Sequence, residues 1–168
     1  MVKLYVVKNW LEKVNRNEPR ANWSIILIKK IMGNMDIQKY ASGKPFILNE
    51  KQFINWSHTD EYLVIALSEL GQVGVDIEIS HLAYDEQLYG WVLHKEEKSK
   101  IEQGRLFSEV WTRKEAILKY TGEGISDNMC ELNSYKMMDL NVTTMFFSGL
   151  CISVCSEYQE SIKLFQIS

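Results

Sequence analysis

At 168 residues, with 46% hydrophobic residues and five tryptophans, the chain has apolar mass for one domain or for two small lobes sharing an interface, and it is too rich in aromatics to be disordered. A formal net charge of −3 argues against a general nucleic-acid binder, and no apolar run approaches the roughly 18 residues needed to span a membrane as a helix. The opening Met1 to Lys8 is too soon charged for a signal peptide, and three late cysteines, Cys130, Cys151 and Cys155, lack zinc-site spacing, so a reducing cytoplasm is the expected compartment.

Lys3 to Val7 predicts a first strand, and Trp10, Leu11 and Val14 at helical spacing predict a short helix reaching towards Pro19. Asn22 reads as the N-cap of a helix from Trp23 to Met32, closed by Gly33 and apolar enough to be mostly core, with Lys29 and Lys30 on its wet face. Gly43-Lys44-Pro45-Phe46 is a turn. Phe53 to Thr59 enters as a strand and ends in Ser57, His58 and Thr59. Tyr62 to Leu70 and Gln72 to Ile79 read as two apolar strands meeting at Gly71, which predicts an antiparallel hairpin. His81 to Gly104 is less regular, and neither His81 nor His94 has a partner at ligand spacing, so both read as structural. Trp111 to Lys119 is helical, uninterrupted until Gly122. In the tail, Leu132 to Leu140, Thr144 to Ser156 and Ile162 to Ile167 read as strands of a final antiparallel sheet, with Cys151 and Cys155 as small packing residues.

Two stretches concentrate chemistry. In the strand ending at Ile79, Asp76 and Glu78 stand two apart and share one side, while Val75 and Ile77 share the other. Two carboxylates at contact distance repel by about 4 kcal/mol at an effective dielectric near 20, so the pair calls for full solvation, a shared proton or a cation. In the later helix, Trp111, Glu115 and Lys119 stand four apart on one face. Taken singly, each stretch has a bland reading, a solvated strand edge and a surface ion pair. Ser57 and His58 do not read as a nucleophile and its base, because adjacent side chains seldom meet and no G-x-S-x-G frames the serine.

Gly74-Val75-Asp76-Ile77-Glu78, followed downstream by Trp111-x-x-Lys114-Glu115-Ala116-x-x-Lys119, resembles the two signature motifs of the 4′-phosphopantetheinyl transferase superfamily, and its W and K-E-A resemble those of the surfactin-synthetase-activating subgroup. Ser57-His58-Thr59, Gly43-Lys44-Pro45 and Gly122-Glu123-Gly124-Ile125 fall where that family has comparable segments. The resemblance implies an α+β fold of two similar small lobes related by a pseudo-twofold, antiparallel sheets packed with helices, and an active site at the lobe interface. It divides this chain into a shortened N-terminal lobe, residues 1–73, and a C-terminal lobe, residues 74–168, that carries the metal-binding motifs.

The implied reaction moves the 4′-phosphopantetheine arm of coenzyme A, the co-substrate, to a serine of an apo acyl or peptidyl carrier protein, releasing 3′,5′-ADP. Mg²⁺, or Mn²⁺ in its place, would be held by Asp76, Glu78 and Glu115; Glu115 and Lys119 would be catalytic, with Glu115 or a water as the base; and Lys44, Ser57, His58, Lys119 and Arg20 would meet coenzyme A. Trp111 would seat the helix, Lys114 would play a supporting part, and Lys95, Lys98, Lys100 and Arg105 would offer a basic patch to an acidic carrier. The expected protein binds neither nucleic acid nor membrane and is a monomer, with self-association as the other outcome for so short a first lobe. Two further readings stand beside the transferase: a non-catalytic coenzyme A or carrier-binding protein on the same fold, and a Mg²⁺-dependent phosphohydrolase.

Overall fold

The apolar faces of β1 (Val2–Lys8) decide the architecture, because the strand is buried on both sides. Val2, Leu4 and Val6 point one way and Val7, with Tyr5 partly buried, the other. A computed structural model describes residues 1–167 apart from Asn15, Asn34 and Asn49. After β1 come two single 3₁₀ turns, Trp10–Glu12 and Arg20–Asn22, then α1 (Trp23–Met32), the short β2 (Ile37–Lys39) and β3 (Pro45–Ile47), and the longer β4 (Phe53–His58), β5 (Tyr62–Ser68) and β6 (Val73–Ile79). The second half holds α2 (Glu86–Tyr89), α3 (Lys95–Glu102), the long α4 (Phe107–Thr121), β7 (Asn141–Phe147), β8 (Leu150–Ser156) and β9 (Ile162–Ile167).

Two sheets form back to back. The first runs β4-β5-β1-β9 and the second β6-β8-β7, with β2 and β3 as a separate pair. Val2, Leu4 and Val6 of β1 and Val64 and Ala66 of β5 pack against Val73, Val75 and Ile77 of β6 and Leu150, Ile152 and Val154 of β8, so the inner faces share one core. The outer face of the first sheet is covered by α1 through Leu27 and Ile28. The outer face of the second is covered by α4 through Ala116 and Ile117. Each half is thus a helix on a sheet, which is the α+β arrangement of two similar lobes. No helix among the described residues is long and apolar enough to cross a membrane.

Several local expectations change. The strands Tyr62–Ser68 and Val73–Ile79 are not a hairpin: β5 pairs with β4 and β1, whereas β6 pairs with β8, and the chain crosses between sheets at Gly71. Both edges of β5 are filled, so β6 has no place beside it. In place of the expected helix there is one 3₁₀ turn, Trp10–Glu12, with Val14 beyond it and Trp10 buried under the first sheet. Asn22 occupies the N-cap position of α1 without a capping bond from its side chain. Leu132 to Leu140 forms no strand, and β9 leaves the second sheet to pair in parallel with β1, Leu4 opposite Leu164. His94 is a helix cap: its Nδ1 accepts from the Glu96 amide at 3.2 Å, and Glu97 Oε2 accepts from the His94 amide at 2.9 Å.

Candidate functional site

The site lies where β4 and β6, from different sheets, run close together under the last turns of α4. Along β6 the side chains alternate as a strand requires. Val75 and Ile77 enter the shared core, while Gly74, Asp76 and Glu78 face α4. Gly74 is what lets the helix approach: a Cβ there would overlap the carbonyl oxygen of Ala116 and the amide nitrogen of Tyr120. With no side chain between them, β6 and α4 bring Asp76 to Lys119.

Helix α4 is held in rotation by partners on its other faces. Thr112 Oγ1 lies 2.8 Å from Ser153 Oγ on β8, and Ser153 is paired with Asp76 across the ladder. Ser108 donates to the Ser80 carbonyl at 2.6 Å, and the Arg113 guanidinium donates to the carbonyls of Val142, at 3.0 Å, and Ser134, at 2.8 Å. Lys114 is fully buried and donates to Glu97 at 2.7 Å and to the Leu132 carbonyl. Glu97 also accepts from the amide and hydroxyl of Ser134, at 2.9 and 2.8 Å. Lys114 therefore points away from the site and ties α4 to α3, so its part is to hold the helix in place. Trp111 packs against Phe107 and Tyr89, with ring centroids 6.0 and 5.4 Å away, and seats the helix. Gly122, with φ of 81°, closes it in a left-handed conformation suited to glycine.

The remaining face meets the carboxylates. Lys119 Nζ donates to Asp76 Oδ1 at 2.6 Å and to Ser57 Oγ at 2.7 Å, and Ser57 Oγ donates to the same Asp76 oxygen at 2.7 Å. Asp76 and Ser57 are buried. One turn back on the helix, Glu115 Oε1 is buried without a hydrogen-bond partner. Burial first, and the Asp76 charge second, push the Glu115 carboxyl up to about 7, against the pull of Lys119. Glu78 is also raised, by burial and then by Asp76. The three carboxylates thus feel one another's charge. Among the described residues, no three His, Cys, Asp or Glu side chains converge as a ready metal cage. The donor set is nonetheless all hard oxygen, and the orphaned buried oxygen of Glu115 is a position that a hard cation would satisfy.

His58 is the exposed last residue of β4, its ring 4.7 Å from that of Trp10, and desolvation, then the Lys119 charge, lower its pKa. Beside it is a cavity of about 240 Å³ lined by Trp10, Arg20, Ser24, Lys39, His58 and Asp60. A second cavity of about 240 Å³ is lined by Lys39, Lys44, Asn55, Trp56, Lys119 and Gly122. Lys44 there donates to the Tyr120 carbonyl, and burial lowers its pKa. Lys39 and Trp56 line both cavities, and Lys39 Nζ lies 5.8 Å from the Trp56 ring centroid. The two together offer several cationic groups and few acids, an environment for a polyanion. Ser57 and Lys119 thus meet Asp76, Lys44 shares the second cavity with Lys119, and Arg20 shares the first with His58.

Sequence reading missed Lys39 and Asn55. Lys39 is an exposed lysine on a three-residue strand, with no local signal to mark it. Asn55 is a buried polar residue inside an apolar strand, which is a signal: its Oδ1 accepts from the Val75 amide at 3.3 Å and bridges the two sheets. Two of the four residues of the expected basic patch, Lys98 and Arg105, are paired with acids of the same chain. Lys98 pairs with Glu86 at 2.8 Å, Arg105 with Glu109 at 3.1 Å, and Lys100 sits 4.8 Å from the Tyr135 ring centroid.

Known proteins of this kind share the arrangement of sequence. A profile of the 4′-phosphopantetheinyl transferase superfamily matches residues 72–163, more than half of the chain and the segment that carries β6 and α4. The chain is 30% identical over 152 residues to the 4′-phosphopantetheinyl transferase gsp of Aneurinibacillus migulanus, covering 78% of this chain and 62% of that protein. It is 27% identical over 148 residues to the 4′-phosphopantetheinyl transferase AcpT of Salmonella typhi, covering 82% and 77% respectively. It is 30% identical over 122 residues to AcpT of Escherichia coli, covering 68% and 62%. The chain therefore spans less than two thirds of the length of two of these relatives. With the D-x-E strand and the K-E-A helix joined at one buried site, the chain belongs to the 4′-phosphopantetheinyl transferase superfamily.

Proposed function

We propose that this protein transfers the 4′-phosphopantetheine arm of coenzyme A to a serine of an apo acyl or peptidyl carrier protein and releases 3′,5′-ADP. The observation that carries the reading is the meeting of Asp76, Glu115 and Lys119 beside two cavities lined with cationic side chains. In the proposed step, the serine oxygen bonds to the β-phosphorus of coenzyme A and the bond from that phosphorus to the bridging oxygen breaks. The leaving group departs as 3′,5′-ADP, and the serine proton passes to Glu115, directly or through a water. Such a reaction is mostly positioning and charge neutralisation.

Asp76, Glu78 and Glu115 would hold Mg²⁺, or Mn²⁺ in its place, which supplies positive charge to phosphate oxygens that grow more negative as the bond forms. Lys119, on a flexible stem at the cavity wall, would hold the phosphates and the departing 3′,5′-ADP. Arg20, Lys44, Ser57 and His58 would seat the rest of coenzyme A: Ser57 and His58 can donate to phosphate oxygens, Arg20 supplies charge to the cavity beside His58, and Lys44 to the cavity beside Lys119. Lys39, on the wall of both cavities, joins that set.

The division proposed is into an N-terminal lobe, residues 1–73, and a C-terminal lobe, residues 74–168, from which β9 returns to pair with β1. The protein is proposed to act as a monomer in the cytoplasm, a reducing compartment that suits the buried thiols of Cys151 and Cys155. The test is intact-mass spectrometry of a panel of apo carrier proteins incubated with the protein, coenzyme A and Mg²⁺, beside a Glu115→Ala control. One added phosphopantetheine on a carrier, absent with the control, supports the transfer. Coenzyme A bound without transfer would replace it with a binding role, and coenzyme A consumed without carrier labelling with hydrolysis.

A further inference from the structure

Lys119 stands in two places at once. Its ammonium is on Asp76 and Ser57, and its side chain lines the cavity shared with Lys44 and Asn55. We infer that Lys119 is an exchangeable counter-ion: it neutralises the carboxylate site of the unloaded protein, and must leave Asp76 before a divalent cation can bind there. The inference rests on the reading of Asp76, Glu78 and Glu115 as the metal carboxylates.

The contacts argue for exchange over simple proximity. Asp76 Oδ1 already accepts two hydrogen bonds, one from an ammonium at 2.6 Å and one from the Ser57 hydroxyl at 2.7 Å. An oxygen so occupied is a poor ligand until one donor leaves, and an ammonium at that distance repels any incoming cation. Of the two donors, Ser57 is fixed in β4 and buried, whereas Lys119 reaches the site on a four-carbon stem and keeps 29% of its side-chain exposure. Lys119 is therefore the donor free to move. The place that it can move to is the adjoining cavity, where a pyrophosphate would receive it.

Two consequences follow for ligand order. A divalent cation alone competes with the protein's own charge and binds weakly. A phosphate that draws Lys119 into the cavity vacates Asp76, so cation and pyrophosphate favour each other's binding although both are attracted to the same small site. Seen from the chain, one side chain supplies the coupling between them.

The experiment is calorimetric titration of Mn²⁺ into EDTA-stripped, dialysed protein with no coenzyme A present, for the wild type, Lys119→Met, and each of these with Glu115→Gln. Lys119→Met is expected to bind Mn²⁺ about tenfold tighter than the wild type, and Glu115→Gln to weaken binding in both backgrounds. Equal or weaker binding by Lys119→Met, with Glu115→Gln still effective, overturns the exchange and leaves the metal assignment standing. Binding that ignores Glu115→Gln, or no binding by any form, overturns the metal assignment and the exchange with it. A measurement on the wild type removes dependence on how the variant folds. Acetylation of lysines by a soluble active ester, read by peptide mass spectrometry, should modify Lys119 faster when Mg²⁺ is present, because the ammonium has left Asp76. Unchanged modification of Lys119 at saturating Mg²⁺ would overturn the inference.

Discussion

Glu115 is the residue at which the physics of the site is most exposed to test. Its carboxyl is pushed up to about 7 by burial, with Asp76 adding to the effect. A folded-state value above the unfolded one stabilises at low pH: the contribution is fully present below the ordinary carboxyl range and is lost as pH rises through about 7. In EDTA, the wild type should therefore be less stable towards urea at about pH 8 than at about pH 5, by up to about 3 kcal/mol more than Glu115→Gln, which has no proton to lose. Parallel pH dependence in the two proteins would show that the buried oxygen is solvated or paired. The same substitution should abolish transfer to a carrier serine, so a protein of raised stability at high pH and no activity is the expected phenotype. Lys114, its neighbour, contrasts with it. Truncating Lys114 to alanine leaves Glu97 buried without its cation and should cost about 3–5 kcal/mol, measured by denaturant unfolding, whereas Lys114→Met with Glu97→Gln should recover part of that loss.

At the scale of elements, the approach of α4 to β6 decides whether Asp76 and Lys119 can meet. Gly74→Ala inserts a Cβ into the backbone of Ala116 and Tyr120, neither of which is the flexible end of a side chain. The helix must lift or the strand must bend, with a destabilisation of about 3 kcal/mol or more and loss of the Lys119 contact to Asp76. Thermal unfolding and transfer activity would both fall; a variant of normal stability and normal activity would mean that the helix is not seated on the strand. The two elements themselves were legible in the sequence, since a period of two puts Asp76 and Glu78 on one side and a period near four puts Glu115 and Lys119 on one face. The ionic bond between the elements was not. A local pattern fixes the direction of a side chain relative to its own element and says nothing about which strand lies beneath. For the same reason Lys114 could be given only an unspecified supporting part, since its partner, Glu97, lies on a different helix. The predicted hairpin of β5 and β6 failed because strands next to each other in sequence need only be joined, not paired, and each found other neighbours.

At the scale of the whole molecule, the two lobes share their means of stability. The inner faces of both sheets meet in one core, with Val2, Leu4 and Val6 on one side and Val75, Ile77 and Ile152 on the other, so neither sheet can be exposed without stripping the other. The last strand makes the dependence mutual: β9, the end of the chain, pairs with β1, its beginning, and the Met1 ammonium meets the Glu160 carboxylate at 2.6 Å. Unfolding should then be one cooperative event. The tryptophans allow this to be checked, since Trp10, Trp23 and Trp56 pack around the first sheet and Trp111, on α4, packs against Tyr89 and Phe107 in the second half. A variant retaining only Trp56 and one retaining only Trp111 should show fluorescence transitions in urea at the same midpoint as the far-ultraviolet circular dichroism of the same variant. Ending the chain after Glu157 removes β9 and leaves one edge of β1 unpaired. Both reporters should then shift to lower urea together, because the loss falls on the shared core; a shift confined to Trp56 would mean that the second lobe stands without the first. In that case the site, which draws Ser57 from one lobe and Lys119 from the other, would be lost with the first lobe while the second stayed folded.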